Sequence, residues 1–231
     1  MHSKKYKNIS SKLDKEKVYD LDTALDLITS NSAAKFDETI ELHLVLGIDP
    51  DKTEQQVRDS LVLPNGGIQK KKVAAFVKPE DEKKAKKAGA DIVGGKELIK
   101  DIKKNKKTDF DIAIAHPEMM QELSKIARIL GPKRLMPSPK NGTITENIEQ
   151  TIKELKSGKI FFRNDSGGNV HFVIGKTSWK KDKIKENFNA VIDKVKKIRP
   201  SKVKRKNLFK KVCITSTMGP SIKVKVLFDA S

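Results

Sequence analysis

The hydrophobic pattern changes character twice along the chain, and that double change sets its plan. Residues 40–46 alternate, with Ile40, Leu42, Leu44 and Leu46 on one face and Glu41, His43 and Val45 on the other. Period two marks a strand buried on one side only. The last third alternates again at 160–163, 170–174, 208–215 and 222–228, where Ile222, Val224, Val226 and Phe228 oppose Lys223 and Lys225. Between these regions the apolar runs are short and continuous, at 73–77, 90–93 and 111–115. Such runs, separated by helical stretches, belong to a small parallel sheet covered on both faces. The end segments need one another to bury a sheet face, whereas the middle can build its own core. The fold class expected is therefore mixed α/β and α+β, with residues 68–158 inserted into a discontinuous domain made of 1–67 and 159–231. Crossings near Gly66-Gly67 and Ser157-Gly158 would join them.

Helices fall between the strands. Leu21, Leu25 and Ile28 repeat at helical spacing behind Asp20 or Asp22 as cap. Residues 80–88 form a lysine-rich helix stopped by Gly89. Residues 119–130 read as one amphipathic helix, with Met119, Met120, Leu123, Ile126, Ala127 and Leu130 on one stripe. Residues 182–198 carry Ile184, Phe188, Val191, Ile192, Val195 and Ile198 on one face, and Pro200 stops them. Strands 160–163 and 170–174 flank Asn164-Asp165-Ser166-Gly167-Gly168-Asn169, which predicts a hairpin across a glycine-rich turn.

Charge identifies the kind of partner. Lys and Arg number 49 against 30 Asp and Glu, for a net charge of +19, and the lysines run the whole length. A polyanion with phosphates on more than one face fits. Lysine is a mobile point charge, which favours backbone neutralisation over base reading. Aromatics make up 5%, with Trp179 the single tryptophan, so a broad base-stacking platform is a poor first reading. The single cysteine, Cys213, rules out an intrachain disulfide and fits a reducing compartment. No apolar stretch approaches a membrane span, and residues 1–17 lack the apolar core of a secretory signal.

Signals for catalysis are poor. There is no G-x-G-x-x-G after a strand, no P-loop and no H-E-x-x-H. His2, His43, His116 and His171 show no metal spacing; His43 and His171 read as surface or packed strand residues, and His116 as a helix start. Cys213 reads as a strand residue. Asp49, Asp51 and Glu54 read as a loop and the first turn of a helix. No metal, cofactor or catalytic residue is expected. The alternative is a nucleic-acid-modifying enzyme with a nucleotide cofactor in the inserted domain.

The basic signals are collective. Lys70-Lys71-Lys72 sits at the first crossing; Lys83, Lys84, Lys86 and Lys87 lie on a helix; Lys103, Lys104, Lys106 and Lys107 form a third cluster. Gly131 to Thr143 holds three prolines and two glycines with Lys133, Arg134 and Lys140 among them. It is either a rigid phosphate-contact loop or a connector around the inserted domain. Thr215-Ser216-Thr217-Met218-Gly219-Pro220 joins two alternating strands, with hydroxyls for phosphates or 2′-hydroxyls and a glycine for close backbone approach. Its other reading is a hairpin turn with a packed methionine.

Several of these segments together resemble the family of large ribosomal subunit protein one, the protein of the mobile side stalk. They are Ala34-Lys35-Phe36, Leu46-Gly47-Ile48-Asp49, Val62-Leu63-Pro64, Gly131-Pro132-Lys133, Leu135-Met136-Pro137, Pro139-Lys140 with Gly142-Thr143, Lys156-Ser157-Gly158-Lys159, and Ser216-Thr217-Met218-Gly219-Pro220. The resemblance covers nearly the whole chain and is of the bacterial type. It implies a sandwich of antiparallel sheet and helices, with a Rossmann-like three-layer α/β domain inserted that lacks nucleotide chemistry. It further implies a monomer when free, bound on the ribosome to large-subunit ribosomal RNA beside the exit-site transfer RNA, whose release it assists. The location would be cytoplasmic, and repression of its own messenger would be a second role. Lys35, Phe36, Arg163, Ser216, Thr217, Met218 and Gly219 match the family's RNA-facing positions, Phe36 either touching RNA or packing to shape that surface. Lys133, Arg134 and Lys140 would make secondary RNA contacts. The chain departs from the family at Arg134, Ser138, Asn65-Gly66-Gly67 and Ser221.

Overall fold

Strand β1 (Thr39–Leu46) alternates half-buried and buried residues along its full length. Ile40, Leu42, Leu44 and Leu46 are wholly inside. β1 is an inner strand. Antiparallel partners flank it, β7 (Asn169–Lys176) on one edge and β8 (Phe209–Ser216) on the other, and β9 (Ile222–Lys223) completes the order β7-β1-β8-β9. The computed structural model describes residues 4–11, 13–14, 16–31, 34–66, 71–133 and 135–226, without the side chains of Lys4, Lys5, Asn8, Ile9 and Lys140. The chain divides into two units, Met1–Ile68 with Phe162–Ser231, and Gln69–Phe161.

In the first unit, α2 (Leu21–Ser30) and α8 (Lys181–Lys197) accompany the sheet, and α1 (Lys4–Ser11) precedes them. Asp20 caps α2, its carboxylate accepting the Thr23 N–H at 3.0 Å. The helices bury Ala24, Leu25 and Ile28, and Ile184, Phe188, Val191, Ile192 and Val195. Each large side chain taken from water contributes roughly 1.5–3 kcal/mol. Lys181–Asp26 and Lys185–Asp22 pair across the helices with solvent access, Lys185 being half-buried, where such pairs contribute little. Among the described residues of this unit, one polar residue is wholly inside: Asn187 on α8. Its amide donates to the carbonyls of Ile174 (2.8 Å) and Asn65 (3.0 Å), and its oxygen accepts the Asn65 N–H (2.9 Å). A side chain on α8 thus fixes the chain at Asn65.

Two expectations for this unit are corrected. Segments 160–163 and 170–174 are not a hairpin: β6 (Lys159–Arg163) pairs with β2 (Arg58–Val62), while β7 pairs with β1. The reason lies in the intervening loop. Asn164 is buried and binds Val57 both ways, its N–H to the Val57 carbonyl (3.0 Å) and its Oδ1 from the Val57 N–H (2.8 Å). The Asp165 carboxylate then accepts from Gly167 and Asn169 and turns the chain away from β6. The last strand is also shorter than the alternation through 228 suggested. β9 has two residues, after which Val224 forms a parallel bridge to Tyr19, which closes that edge. Phe228 lies outside the described residues.

The Asn169 amide, with help from the backbone N–H groups of Asn169 and Gly167, lowers the Asp165 carboxyl to about 2. Since the folded value lies below the ordinary 3.8, the loop's stabilisation is fully present above the unfolded value and is lost as pH falls toward about 2. Protection of the Gly167 and Asn169 amides, relative to their intrinsic exchange at each pH, should therefore fall selectively between about pH 4 and pH 2. Unchanged protection at the acid end would refute this anchoring.

The second unit holds a parallel sheet of order β4-β3-β5: β3 (Val73–Phe76), β4 (Ile92–Gly94) and β5 (Ile112–Ala115). Its central strand is buried on both faces, which is why the sequence shows a continuous run rather than alternation. Ala74 and Phe76 pack with Ile99 and Ile102 of α4 (Lys96–Asn105), Leu123 of α5 (Met120–Ser124) and Leu130 of α6 (Ala127–Leu130). Val73, Ala75 and Val77 pack with Ala85 of α3 (Pro79–Lys87) and Ile152 and Leu155 of α7 (Ile148–Lys156).

The helix expected over 119–130 is broken. A 3-10 turn (Pro117–Met119) leads into α5, and bonds from the N–H groups of Lys125 and Ile126 to carbonyls three residues back tighten the chain before α6. Leu123, Ile126 and Leu130 all remain fully buried. The proline-rich segment after α6 is built into this core. Leu135 and Met136 pack against it, buried Thr143 bonds the backbone of Ser138 in both directions, and Ile144 bridges to Ala115 of β5.

A candidate nucleic-acid interface at one end of β1

Three segments converge where β1 begins: 34–39, 176–178 and 215–219. The β1–β8 register sets Ile40 opposite Ser216, so the turn after β8 lies beside Thr39. The turn is held closed from within. The Gly219 N–H donates to the Ser216 carbonyl at 3.1 Å, and the Thr215 hydroxyl reaches the carbonyls of Ser216 and Gly219 at 3.0 and 3.1 Å. Ser216 is buried. A Cβ at Gly219 would sit 2.5 Å from its hydroxyl oxygen, so a side chain there forces Ser216 to move.

The turn is also tied to its neighbours. The Thr217 hydroxyl accepts the Thr39 N–H at 3.0 Å and lies 3.4 Å from the Thr39 carbonyl. Glu38, only 1% exposed, accepts the Met218 N–H on one carboxylate oxygen (3.1 Å) and the Ala34 N–H on the other (3.2 Å). One buried carboxylate therefore joins the 34–38 loop to the 217–219 turn. Asp37 clasps the third segment, accepting from the Thr177 hydroxyl and from the Ser178 N–H and hydroxyl, with Lys176 at 3.8 Å. Burial alone would raise the Asp37 carboxyl; the Ser178 and Thr177 donors and Lys176 outweigh it and hold the group below its ordinary value.

What this frame presents outward is mixed. Lys35 and Thr217 are exposed. Phe36 is 56% exposed and Met218 59% exposed, two large apolar side chains left in solvent beside fixed backbone. Neither is packed away. Cation, apolar surface and closely approachable backbone are the groups that a folded RNA strand engages.

Other sequence candidates lie elsewhere. Arg163 is exposed at the end of β6, next to the Asn164–Val57 contact. The loop that follows it docks at the Leu46 end of β1 through the Leu46 N–H to Gly168 carbonyl bond, so Arg163 belongs to the opposite end of that strand from Thr217. Lys133 is in the second unit, exposed, its ammonium donating to the Thr108 hydroxyl at 2.6 Å. Lys140 lies in a 3-10 turn (Pro139–Asn141), and Arg134 lies outside the described residues. The His116 ring caps its own turn by accepting the Glu118 N–H. Cys213 is buried in β8. Asp49 pairs with Lys52 at 2.9 Å. Among the described residues, no group of three or more His, Cys, Asp or Glu could hold a metal, and no helix is long and apolar enough to cross a membrane.

Glu38 is the residue that sequence reasoning missed. The signal was present: the buried phase of β1, Ile40-x-Leu42-x-Leu44, extends back to position 38, where a carboxylate stands in register with the core.

A model of the family described as "Ribosomal protein L1p/L10e family" matches residues 28–220, a span that includes the whole β1–β8 frame. Similar curated proteins carry the name large ribosomal subunit protein uL1. The one from Mycoplasma capricolum is 45% identical over 96% of this chain and 98% of its own length. That from Fervidobacterium nodosum is 44% identical over 96% and 94%, and that from Mesoplasma florum 45% identical over 97% and 98%. Matches of this extent, across both units and all three segments of the candidate interface, place the chain in the ribosomal protein L1p/L10e family.

Proposed function

We propose that this protein is a structural constituent of the large ribosomal subunit that binds subunit RNA through the Thr39 end of β1. The names of its relatives support the ribosomal assignment. The observation that carries the RNA surface is the Glu38 clasp, which holds exposed Phe36 and exposed Met218 on one rigid frame. Lysines bring the basic chain to folded RNA and neutralise phosphates, a sequence-independent contribution that fades with salt. Backbone at Gly219 and the apolar Phe36 and Met218 then select shape, which salt weakens less. The Thr217 hydroxyl is already bonded to Thr39, so it acts by holding the turn in place. Arg163 extends the basic surface toward the other end of β1.

In this reading the protein sits at the mobile side stalk beside the exit-site transfer RNA and assists its release. Lys133, Arg134 and Lys140 of the inserted unit make secondary contacts. A messenger segment that imitates the ribosomal site would occupy the same frame, so translation of the protein's own message falls when ribosomal RNA is saturated. Binding rather than covalent chemistry is the mechanism.

The test is binding to isolated stalk RNA at two salt concentrations, beside a control RNA of equal length. Thr217→Ala removes the hydrogen bonds to Thr39 and should weaken stalk-RNA binding about tenfold, equivalent to about 1.4 kcal/mol. Control-RNA binding should not change. Equal affinity for both RNAs, falling together with salt and indifferent to Thr217, would reduce the protein to a non-specific basic binder.

A further inference from the structure

The outward face of the sheet carries two histidines directly opposite one another, His43 on β1 and His171 on the edge strand β7. Their rings meet edge to face, with centroids 4.9 Å apart and planes at 67°. The two Nδ1 atoms are 2.7 Å apart, within hydrogen-bond distance. One ring therefore donates its Nδ1–H, and the other accepts on a bare Nδ1. The Nε2 atoms lie 3.5 Å from Glu41 Oε2 and 3.7 Å from Asp165 Oδ2, too far for a hydrogen bond but near enough for charge to act. β8 sets buried Cys213 opposite His43, and Lys211 opposite the next outward residue, Val45. β9 sets Lys223 beyond Cys213, its ammonium on Glu16 at 3.0 Å. β7 has no other titratable side chain before Lys176.

This bond has a strict proton count. With both rings neutral, the donor carries its proton on Nδ1 and the acceptor carries its own on Nε2. A first added proton goes to the donor's bare Nε2 and leaves the bond intact. A second can go only to the accepting Nδ1. Two N–H groups then face each other, and two like charges stand where one proton was shared. We propose that His43 and His171 form a proton-operated latch: it ties β7 to β1 while one ring is neutral and releases the edge strand when both are charged.

The two rings are not equivalent. The His43 side chain is 30% exposed and that of His171 54%. Burial first, and then the charge of His171, hold the His43 ring below its ordinary 6.5 against the opposing pull of Glu41. His43 is thus the ring that resists the second charge. Because its folded value lies below the unfolded one, the unfolded chain takes the proton first. The latch's stabilisation is whole above about pH 6.5 and is lost as pH falls through the folded value. The Asp165 carboxyl, at about 2, titrates in a separate and far more acid window. β7 has a strand neighbour on one side only, so a lost cross-strand bond frees it before it frees β1 or β8. The latch is independent of the RNA reading above.

Amide exchange of the full chain tests it, with protection taken relative to intrinsic exchange at each pH. Between about pH 7.5 and about pH 5, protection on β7 should fall about tenfold while β8, on the other side of β1, holds. The fall should follow protonation of the His43 ring, read from its carbon-bound proton resonances. His43→Gln and His171→Gln each leave one titrating ring, so β7 protection in them should no longer change over this range. In His171→Gln the His43 ring should also titrate at a higher pH than in the parent, because the like charge is gone. Constant β7 protection in the parent overturns the proposal. So does a fall of equal size on β8, or one that persists unchanged in both variants. The comparison of β7 with β8 in the parent decides the matter even if a variant fails to fold.

Discussion

Glu38→Ala should cost about 3 kcal/mol of stability in the first unit and weaken stalk-RNA binding by more than tenfold. Both effects have one cause. The carboxylate is 1% exposed and accepts two backbone N–H groups from different segments, Ala34 and Met218. Hydrogen bonds to a charged group contribute roughly 1.5–3 kcal/mol each, and truncation leaves their donors without that acceptor. Binding suffers because Phe36 and Met218 lose their common anchor, although neither side chain is altered. Glu38→Gln separates the two effects. It keeps an acceptor for one N–H, so it should retain more stability than alanine while still loosening one of the two segments. Urea unfolding followed by Trp179 fluorescence measures the first unit alone, because that residue is the only tryptophan and lies within it. RNA binding at fixed salt measures the second effect. Full RNA affinity in a folded Glu38→Ala protein would remove the clasp from the recognition mechanism.

Asn187→Leu should destabilise the same unit by a comparable amount, about 3 kcal/mol, with little direct effect on the RNA surface. The leucine keeps the branching at Cγ but is bulkier; it removes every hydrogen-bonding atom and also crowds a fully buried site. The N–H and carbonyl of Asn65 and the carbonyl of Ile174 then lose their partner at a site with no solvent access to the side chain. The same urea titration, again read by Trp179, gives the magnitude. Exchange at the Asn65 amide should rise further than at β1 amides, because Asn187 is what fixes that residue to α8. A loss below about 0.5 kcal/mol would mean that the asparagine's bonds are replaced at no cost.

Much of the fold was legible from periodicity because each unit buries its strands in a different way. One-sided burial wrote alternation into β1, and two-sided burial wrote the continuous run into β3. The α8 stripe was readable because it is a local repeat, and the cap of α2 was narrowed to Asp20 or Asp22 because it is a local bond, which the structure gives to Asp20. The errors share a cause as well. The 160–174 segment looked like a hairpin because turn chemistry is local, whereas the choice of strand partner was made by Asn164 reaching Val57, 107 residues away. The helix over 119–130 kept its apolar stripe but lost its continuity, since burial of Leu123, Ile126 and Leu130 does not require unbroken bonding between them.

The candidate interface divides along the same line. Composition, the Ser216-Thr217-Met218-Gly219-Pro220 turn and Lys35-Phe36 were visible in the chain, and with them a basic protein having a defined polar turn. That the turn and the loop are one surface was decided by the register of β8 on β1 and by the Glu38 carboxylate reaching Met218, 180 residues away. The meeting of His43 with His171, 128 residues apart, has no sequence signature either. Sequence alone determined which residues are buried in each element, since that depends on repeats within a few residues. Tertiary structure decided which side chains share a site, because strand pairing and buried polar bonds act between segments whose separation no local pattern records.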